Sequence, residues 1–356
     1  MNARAFFTAL ALAVAPAAAQ QGFAGLDSAP EGFAPVTPGR AFAFPADHAP
    51  HRAFRTEWWY VTANLEGPDG ARYGAQWTLF RYGFAPGAPD EGWGKEEIWM
   101  AHAAVTADGD HRAADRYARG GIGQAGVEIG PFEAWIDDWR LVAAPDARGL
   151  EAARMHAATE GFAFDLALEA EGPLVLQGEA GWSAKSADAR ETHRASYYYS
   201  QPFFRAEGTL TLDGAAIRVT GRAWMDREWS TEPLGPGQSG WDWFALHFDD
   251  GAKAMVARMR EDGPEPFRAG TWIEPDGDAA PLDPADMTFE PIGWAEVAGR
   301  ETPVRWRLGV ASRGVSVEMT PLNPKAWNAL SVPYWEGPIA FSGSHEGVGY
   351  LEMTGY

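Results

Sequence analysis

One strand–turn–strand pattern occurs twice in this sequence, and the two copies are far apart. The first copy has an aromatic-led run at residues 57–65, an Asp-Gly turn and a second strand that ends at Arg81. The second copy has residues 240–248, another Asp-Gly turn and a second strand that ends at Arg260. An Asp-Gly pair between two strand-like runs is typical of a β-hairpin. Because repeats on this scale determine architecture, the sequence predicts a duplicated β domain.

The later parts of the two halves also match. Residues 197–221 and 334–355 each begin with a tyrosine-containing strand and end in Thr-Gly. This alignment makes Trp59 and Trp243 equivalent strand aromatics. It also leaves residues 222–226 without a counterpart, because the second half has only Tyr356 after its Thr-Gly.

Short strand-like runs separated by turn signals continue to the end of the chain. The sequence has 41 Gly and 26 Pro, which suits many short strands, and its 46% hydrophobic content is sufficient for a large core. We therefore predict an all-β protein with two antiparallel barrels, at residues 44–228 and 229–356. Residues 147–158 and 184–195 are the best candidates for helices or loops.

The first 19 residues have the composition of a secretory signal peptide, with Arg4 before an apolar run and an Ala-Ala-Ala cleavage site. Residues 20–43 are rich in Gly, Ala and Pro and are predicted to form an extended lead-in. No later run is long and apolar enough for a membrane span. We therefore expect an exported protein, periplasmic or secreted.

Charge and cysteine content narrow the function. The formal net charge is −20, which opposes electrostatic binding to nucleic acids or anionic membranes. The absence of cysteine excludes thiolate catalysis and cysteine-based metal centres. No phosphate-binding or dinucleotide motif is present, and no Gly-x-Ser-x-Gly elbow, so no cofactor is predicted.

Seven motifs together indicate a family. In chain order they are Glu57-Trp58-Trp59-Tyr60, Thr78-Leu79-Phe80-Arg81, Ala101-His102-Ala103, Tyr198-Tyr199-Ser200, Trp224-Met225-Asp226-Arg227-Glu228-Trp229, Gly240-Trp241-Asp242-Trp243 and the terminal Gly349-Tyr350-Leu351-Glu352-Met353-Thr354-Gly355-Tyr356. This ordered set resembles the AttH / carotenoid 1,2-hydratase family of lipocalin-like proteins over nearly the whole mature chain. The resemblance implies two lipocalin-like barrels. It also implies a cofactor-free hydro-lyase activity, the addition of water to a terminal carbon–carbon double bond of an acyclic carotenoid.

Asp226 is the first candidate catalytic residue. Strand alternation places Trp224, Asp226 and Glu228 on one face. A carboxyl group among aromatic side chains keeps its proton, and aromatic faces stabilise a carbocation, so this setting suits the hydration of an alkene. The resemblance also assigns Asp226 to the position of the acid proposed for the hydratases. The alternative is an ion pair with Arg227 or the cap of a turn at the domain junction.

Tyr197 and Tyr199 are further candidates, since they would share one face of a strand. The hydratases have a His-x-aromatic pair in this region, where this sequence has Tyr-x-Tyr. The alternative is ordinary packing inside the barrel.

Glu57 admits two interpretations. It is either a second carboxylate that acts as general base with Asp226, or one half of a buried ion pair with Arg81 on the partner strand.

An aromatic wall is predicted to bind the ligand, or else to close the barrel ends. The predicted ligand-binding residues are five tryptophans and one histidine that lies among small neighbours: Trp59, His102, Trp224, Trp229, Trp241 and Trp243. No His-x-His or His-Glu-x-x-His spacing occurs, so no metal site is predicted.

These features favour an exported two-barrel protein that binds a long apolar molecule of lipid or terpenoid type. A second hypothesis adds cofactor-free, acid-catalysed hydration of a double bond. Two alternatives stay open. One is a secreted hydrolase with a paired-carboxylate or metal-assisted site. The other is a non-enzymatic interaction module of the cell envelope.

Overall fold

The computed structural model describes residues 31–86, 92–147, 149–235, 237–261 and 266–356. The predicted signal peptide and the start of the predicted lead-in therefore lie outside the described residues. Nearly all regular structure is β-strand, apart from short 3₁₀ turns such as Ala46–His48. Among the described residues, no helix has the length and apolar character needed to cross a membrane.

Thirteen strands of the described chain form the first antiparallel sheet. They are β1 (Thr56–Glu66), β2 (Arg72–Gly83), β3 (Glu97–Ala107), β4 (Asp110–Arg119), β5 (Ala125–Ile129), β6 (Phe132–Ile136), β7 (Trp139–Ala143), β8 (Ala152–Ala158), β9 (Phe162–Ala170), β10 (Val175–Leu176), β11 (Trp182–Ala184), β12 (Ala195–Leu212) and β13 (Ala215–Ser230). The main path runs β4-β3-β2-β1-β13-β12-β9-β8-β7-β6-β5, and β10 and β11 pair with β12.

The second sheet contains ten strands within the described residues. They are β14 (Gln238–Phe248), β15 (Lys253–Glu261), β16 (Arg268–Ile273), β17 (Ala279–Pro281), β18 (Met287–Val297), β19 (Arg300–Val310), β20 (Val315–Pro321), β21 (Trp327–Asn328), β22 (Tyr334–Gly343) and β23 (Gly347–Met353). Its order is β17-β16-β15-β14-β23-β22-β20-β19-β18, with β21 beside β22. The chain changes sheets between Ser230 and Gln238.

The two sheets repeat one topology, and the all-β prediction of two barrel-like halves is confirmed. In the first sheet β1 lies between its hairpin partner β2 and the later hairpin β12–β13. In the second sheet β14 lies in the same way between β15 and the hairpin β22–β23. Each sheet curves around its own apolar core.

The strand register corrects the sequence alignment of the two halves. Tyr60 pairs with Asp226 across β1 and β13, and Trp243 pairs with Glu352 across β14 and β23. Together with the shared spacing of Trp224-x-Asp226 and Tyr350-x-Glu352, this register matches Tyr60 with Trp243 and Asp226 with Glu352. Asp226 does have a counterpart, contrary to the sequence alignment, because the matching of terminal Thr-Gly pairs placed β13 out of register with β23.

Side chains on the two faces of β1 enter different apolar clusters. Trp59, Val61 and alternate residues beyond them point into the first core, whereas Tyr60 points outward. Trp243 also points outward, so the predicted equivalence of Trp59 and Trp243 is wrong. The outward faces of the two sheets pack against each other through Tyr60, Tyr198, Trp224, Trp243, Met255 and Tyr350.

Of the two segments predicted as helix or loop, residues 184–195 are a loop, and neither segment is helical in the described residues. Residues 152–158 form strand β8, in which Ala153, Met155 and Ala157 are buried, and this two-residue period belongs to a strand. Residues 184–195 connect β11 to β12 through turns. The described part of the lead-in covers one end of the first sheet, where Val36 and Phe54 pack against Tyr197 and Trp229.

Candidate active site between the two sheets

A cavity lies where the outward faces of the two sheets meet. Its volume is about 80 Å³, measured as the space open to the centres of water-sized molecules. The apolar wall includes Trp58, Phe80, Trp241, Trp243, Met255 and Met259. The polar groups that line it are Tyr60, Lys185, Tyr198, Asp226, Glu228, Tyr334 and Glu352. An apolar cavity with a few convergent polar groups is the usual form of a small-molecule site.

Asp226 lies on β13 in the wall of this cavity, and its side chain is buried. Its Oδ1 accepts hydrogen bonds from Ser200 Oγ and from Trp224 Nε1, the latter at 2.7 Å. The Tyr198 side chain hydrogen-bonds the same carboxyl group. Burial nevertheless raises the pKa of Asp226 to about 7, because these three donors only partly replace lost water.

Glu352 faces the cavity from β23 of the second sheet. Trp241 Nε1 donates a hydrogen bond of 2.6 Å to its Oε1. Burial raises the pKa of Glu352 to about 7, and the charges of Asp226 and Glu228 act in the same direction. Because ionisation of Asp226 opposes ionisation of Glu352, near neutral pH one of the two holds a proton while the other is charged.

A third carboxyl group, Glu228, forms an ion pair with a lysine. Lys185 Nζ lies 2.9 Å from Glu228 Oε1 and 5.5 Å from the centre of the Tyr198 ring. Trp243 Nε1 in turn donates to the Tyr198 hydroxyl at 3.2 Å. These contacts hold Tyr198 between the two sheets with its hydroxyl beside Asp226.

The predicted residue His102 lies behind the cavity wall. Its Nδ1 is 3.0 Å from the hydroxyl of Tyr334, which does line the cavity. Its Nε2 is buried without a hydrogen-bond partner. Burial lowers the pKa of His102 to about 4, so the imidazole is neutral at physiological pH.

Glu57 points away from Asp226, into the first sheet's interior. Its carboxylate accepts hydrogen bonds from Arg81, from Arg227 and from the His51 backbone N–H. Burial would raise the pKa of Glu57, but the two guanidinium groups hold it well below its usual range. Glu57 therefore forms the buried ion pair that was one of its two predicted roles, and the structure does not bring it to Asp226.

Tyr197 and Tyr199 also face away from the cavity. The Tyr199 hydroxyl lies 2.6 Å from His48 Nδ1, and the Tyr197 hydroxyl donates to the Thr37 carbonyl at 3.0 Å. Both rings pack against Trp229. It is the intervening tyrosine, Tyr198, that reaches Asp226.

The predicted tryptophans divide between the two faces. Trp241 and Trp243 line the cavity, and Trp224 lies beneath Asp226 as a hydrogen-bond donor. Trp59 and Trp229 lie on the inward face, within 5 Å of the Arg227 guanidinium. In the described ranges, no cluster of three or more His, Asp and Glu side chains could hold a metal ion.

Sequence reasoning missed Tyr60, Tyr198, Glu336 and Glu352. A signal for Glu352 was present, because residues 350–352 repeat the aromatic-x-acid spacing of residues 224–226. A site role for Tyr60 could be inferred once Asp226 was a candidate, because Tyr60 is the cross-strand partner of Asp226 and shares its face of the sheet.

Comparisons with known proteins agree with this architecture. The profile of the AttH-like family matches residues 35–356. An AttH protein from Nitrosomonas europaea is 34% identical, covers 91% of this chain and 100% of its own, and superposes with a TM-score of 0.78. No curated protein matches the sequence significantly.

Two more distant structures share the two-barrel fold. Kievitone hydratase from Nectria haematococca is 16% identical, with 92% of this chain and 97% of its own covered and a TM-score of 0.65. CghA, solved with Sch210972, is 14% identical, with 91% and 96% covered and a TM-score of 0.53. On its profile match and on its 34% identity to a family member, the chain belongs to the AttH-like family.

Proposed function

We propose that the cavity binds an apolar small molecule with a carbon–carbon double bond and that the protein adds water to this bond without a cofactor. The observation that carries the proposal is the pair Asp226 and Glu352, two carboxyl groups with pKa values near 7 in one aromatic cavity. Acid–base catalysts work best when their pKa values lie near the working pH.

Asp226 is the acid in this scheme. Its carboxyl proton goes to one carbon of the double bond, whose π electrons form the new C–H bond and leave a carbocation on the neighbouring carbon. The indole rings of Trp58, Trp241 and Trp243 line the space around it and stabilise the positive charge. Ionised Asp226 remains nearby as a counter-charge.

Glu352 is the base. A water oxygen attacks the cation, and Glu352 takes the proton that the water loses, which gives a neutral alcohol. Transfer of this proton through solvent to Asp226 restores both groups, so the net reaction is alkene plus water to alcohol. The same groups catalyse dehydration in reverse.

The relatives support the reaction class by analogy. Kievitone hydratase is a hydratase by its name and shares the fold, although fold alone does not fix function. Export is part of our proposal and is supported by the signal-like composition of residues 1–19. Mass spectrometry of the native protein tests it, because cleavage after residue 19 removes a defined mass.

Binding and turnover need separate experiments. The neutral dye Nile red should bind the purified protein and quench its tryptophan fluorescence. Ala257→Trp, which fills the cavity wall, should abolish this, whereas Trp294→Ala at an exposed position should not. Absence of any Nile red binding to the wild type would refute an apolar binding cavity.

Turnover is measured with acyclic isoprenoid alkenes in ¹⁸O-labelled water. Formation of ¹⁸O-alcohol by the wild type, and its loss in Asp226→Asn and Glu352→Gln, supports hydration. Dye binding without labelled product favours a pure binding protein. Hydrolysis of apolar esters by the same two carboxyl groups favours the paired-carboxylate hydrolase.

A further inference from the structure

A second carboxyl group, Glu336, lies beside Glu352 on the neighbouring strand. The two are direct cross-strand partners on β22 and β23, so their side chains share one face of the sheet. Glu336 is only 1% exposed, while Glu352 is reached from the cavity. Two adjacent carboxyl groups shielded from water do not both ionise, because each charge repels the other.

Hydrogen-bond donors from both sheets hold Glu336 in place. The Tyr60 hydroxyl from β1 donates to its Oε1, and Asn328 Nδ2 donates to its Oε2 at 3.2 Å. The Tyr334 side chain forms a further hydrogen bond to the same carboxyl group. Three partners on one buried side chain fix its orientation towards the interface between the sheets.

A histidine of the first sheet orients Asn328. His111 Nε2 lies 2.9 Å from Asn328 Oδ1, and His111 Nδ1 lies 2.9 Å from Thr106 Oγ1. Since Asn328 uses its amide N–H for Glu336, its oxygen must accept, and His111 Nε2 carries the hydrogen. The polar network that begins at Glu336 therefore crosses between the sheets at three contacts, Tyr60 with Glu336, His111 with Asn328 and His102 with Tyr334.

Ser200 in the first half occupies the position that Glu336 occupies in the second half. Ser200 pairs with Asp226 as Glu336 pairs with Glu352. Ser200 donates to Asp226 and so favours its ionised form, whereas Glu336 opposes the ionisation of Glu352. The duplicated positions thus control two equivalent acids in opposite ways.

We propose that Glu336 and Glu352 form one acid–base unit that shares a single proton at neutral pH, with Glu336 as the positioning residue that determines when Glu352 accepts a proton. Its part in hydration rests on the proposed function. With the shared proton on Glu336, ionised Glu352 takes the proton lost by the attacking water. The unit then holds two protons and returns one through solvent to the Asp226 carboxylate.

Within the described residues no salt bridge to Glu336 or Glu352 is seen, and Lys185 of the cavity wall is paired with Glu228. The titratable side chains that interact with the unit are Tyr60, His102 through Tyr334, His111 through Asn328, Asp226, Glu228, Tyr334 and Tyr350. Burial lowers the pKa of both histidines, so they are neutral near pH 7. Burial also raises the pKa of Glu336 well above its ordinary value, which agrees with a retained proton.

Infrared spectroscopy of the full chain tests the shared proton without any ligand. The C=O stretch of protonated carboxyl groups is followed against pH in wild type, Glu336→Gln and Glu352→Gln. We expect Glu336→Gln to remove the carboxyl signal that persists to the higher pH, and Glu352→Gln to lower the titration midpoint of Glu336 by about one pH unit or more, because the repelling charge is gone. Glu301→Gln, an exposed control on β19, should change neither.

An unchanged Glu336 midpoint in Glu352→Gln would show independent titration and overturn the proposal. Should that variant not fold, Tyr60→Phe keeps both carboxyl groups and removes one donor to Glu336. It should raise the midpoint of the unit, and no change there would equally refute the coupling. Because this readout needs no substrate, a failure of alkene hydration leaves the result interpretable.

Discussion

Asp226 and Glu352 occupy equivalent positions in the two halves of the chain and face one cavity from opposite sheets. Each is the cross-strand partner of an outward-facing aromatic residue, Tyr60 in one half and Trp243 in the other. Each also accepts a hydrogen bond from an indole N–H. The duplication thus places two acids at a single site.

Asp226→Asn should abolish turnover and preserve ligand binding. Loss of a general acid costs roughly 10²–10⁴-fold in rate, whereas the amide keeps the size of the side chain. Product formation and Nile red affinity are measured on the same preparation. Asp108→Asn, in an exposed turn, is the matched control. Full activity of Asp226→Asn would remove this residue from the mechanism.

The stability of the wild type relative to Asp226→Asn should fall as pH rises. The folded-state pKa of Asp226 is raised from 3.8 to about 7. Its contribution to the stability of the folded state is therefore complete below pH 3.8 and is lost progressively as the pH rises to about 7. At about 1.4 kcal/mol per pKa unit, the upper limit of the loss is about 4 kcal/mol.

Urea unfolding of both proteins between about pH 4 and pH 8 measures this difference. The comparison with the variant is needed because buried His48, His102 and His247 have lowered pKa values and add stability as pH rises through the same range. A difference that does not change with pH would contradict the raised pKa of Asp226.

Tyr198→Phe should raise the titration midpoint of Asp226, because it removes a donor to the ionised carboxylate. A hydrogen bond to a charged group is worth about 1.5–3 kcal/mol, which corresponds to about one to two pH units. Tyr197→Phe and Tyr199→Phe are controls in the same strand that face away from the cavity. Infrared titration of the Asp226 carboxyl group compares the midpoint in the three variants with that of the wild type. Equal shifts in all three variants would disprove the assignment of faces.

Glu57→Gln should destabilise the fold by about 3–5 kcal/mol, since it leaves Arg81 and Arg227 buried without their carboxylate. The unfolding free energy in urea measures the loss. Glu290→Gln breaks an exposed pair with Arg307 and should leave the unfolding free energy nearly unchanged, because water screens the pair. Nile red binding should survive in folded Glu57→Gln. A selective loss of turnover without loss of stability would instead favour the catalytic role for Glu57.

Local patterns in the sequence predicted the fold and half of the site. Hairpin signals and the repeat gave the all-β duplication, and strand alternation placed Trp224, Asp226 and Glu228 on one face. Alternation alone, however, does not tell which face borders a cavity. Tyr197 and Tyr199 were therefore preferred over Tyr198, although the cavity lies on the other side.

The second acid was missed for a different reason. The alignment of β23 with β13 depends on hydrogen bonds between strands more than 100 residues apart in the chain, such as Trp243 with Glu352. A shift of register changes every pairing. Only the paired strands show that Glu352 corresponds to Asp226.

The meeting of equivalent outward faces also bears on the origin of the molecule. An interface in which related halves contribute the same positions has the arrangement of a symmetric homodimer. In a homodimer, both subunits must carry the same acid with the same neighbour. Fusion into one chain removes that restriction, so that one half could keep a short acid beside a serine while the other acquired a longer acid beside a second carboxyl group.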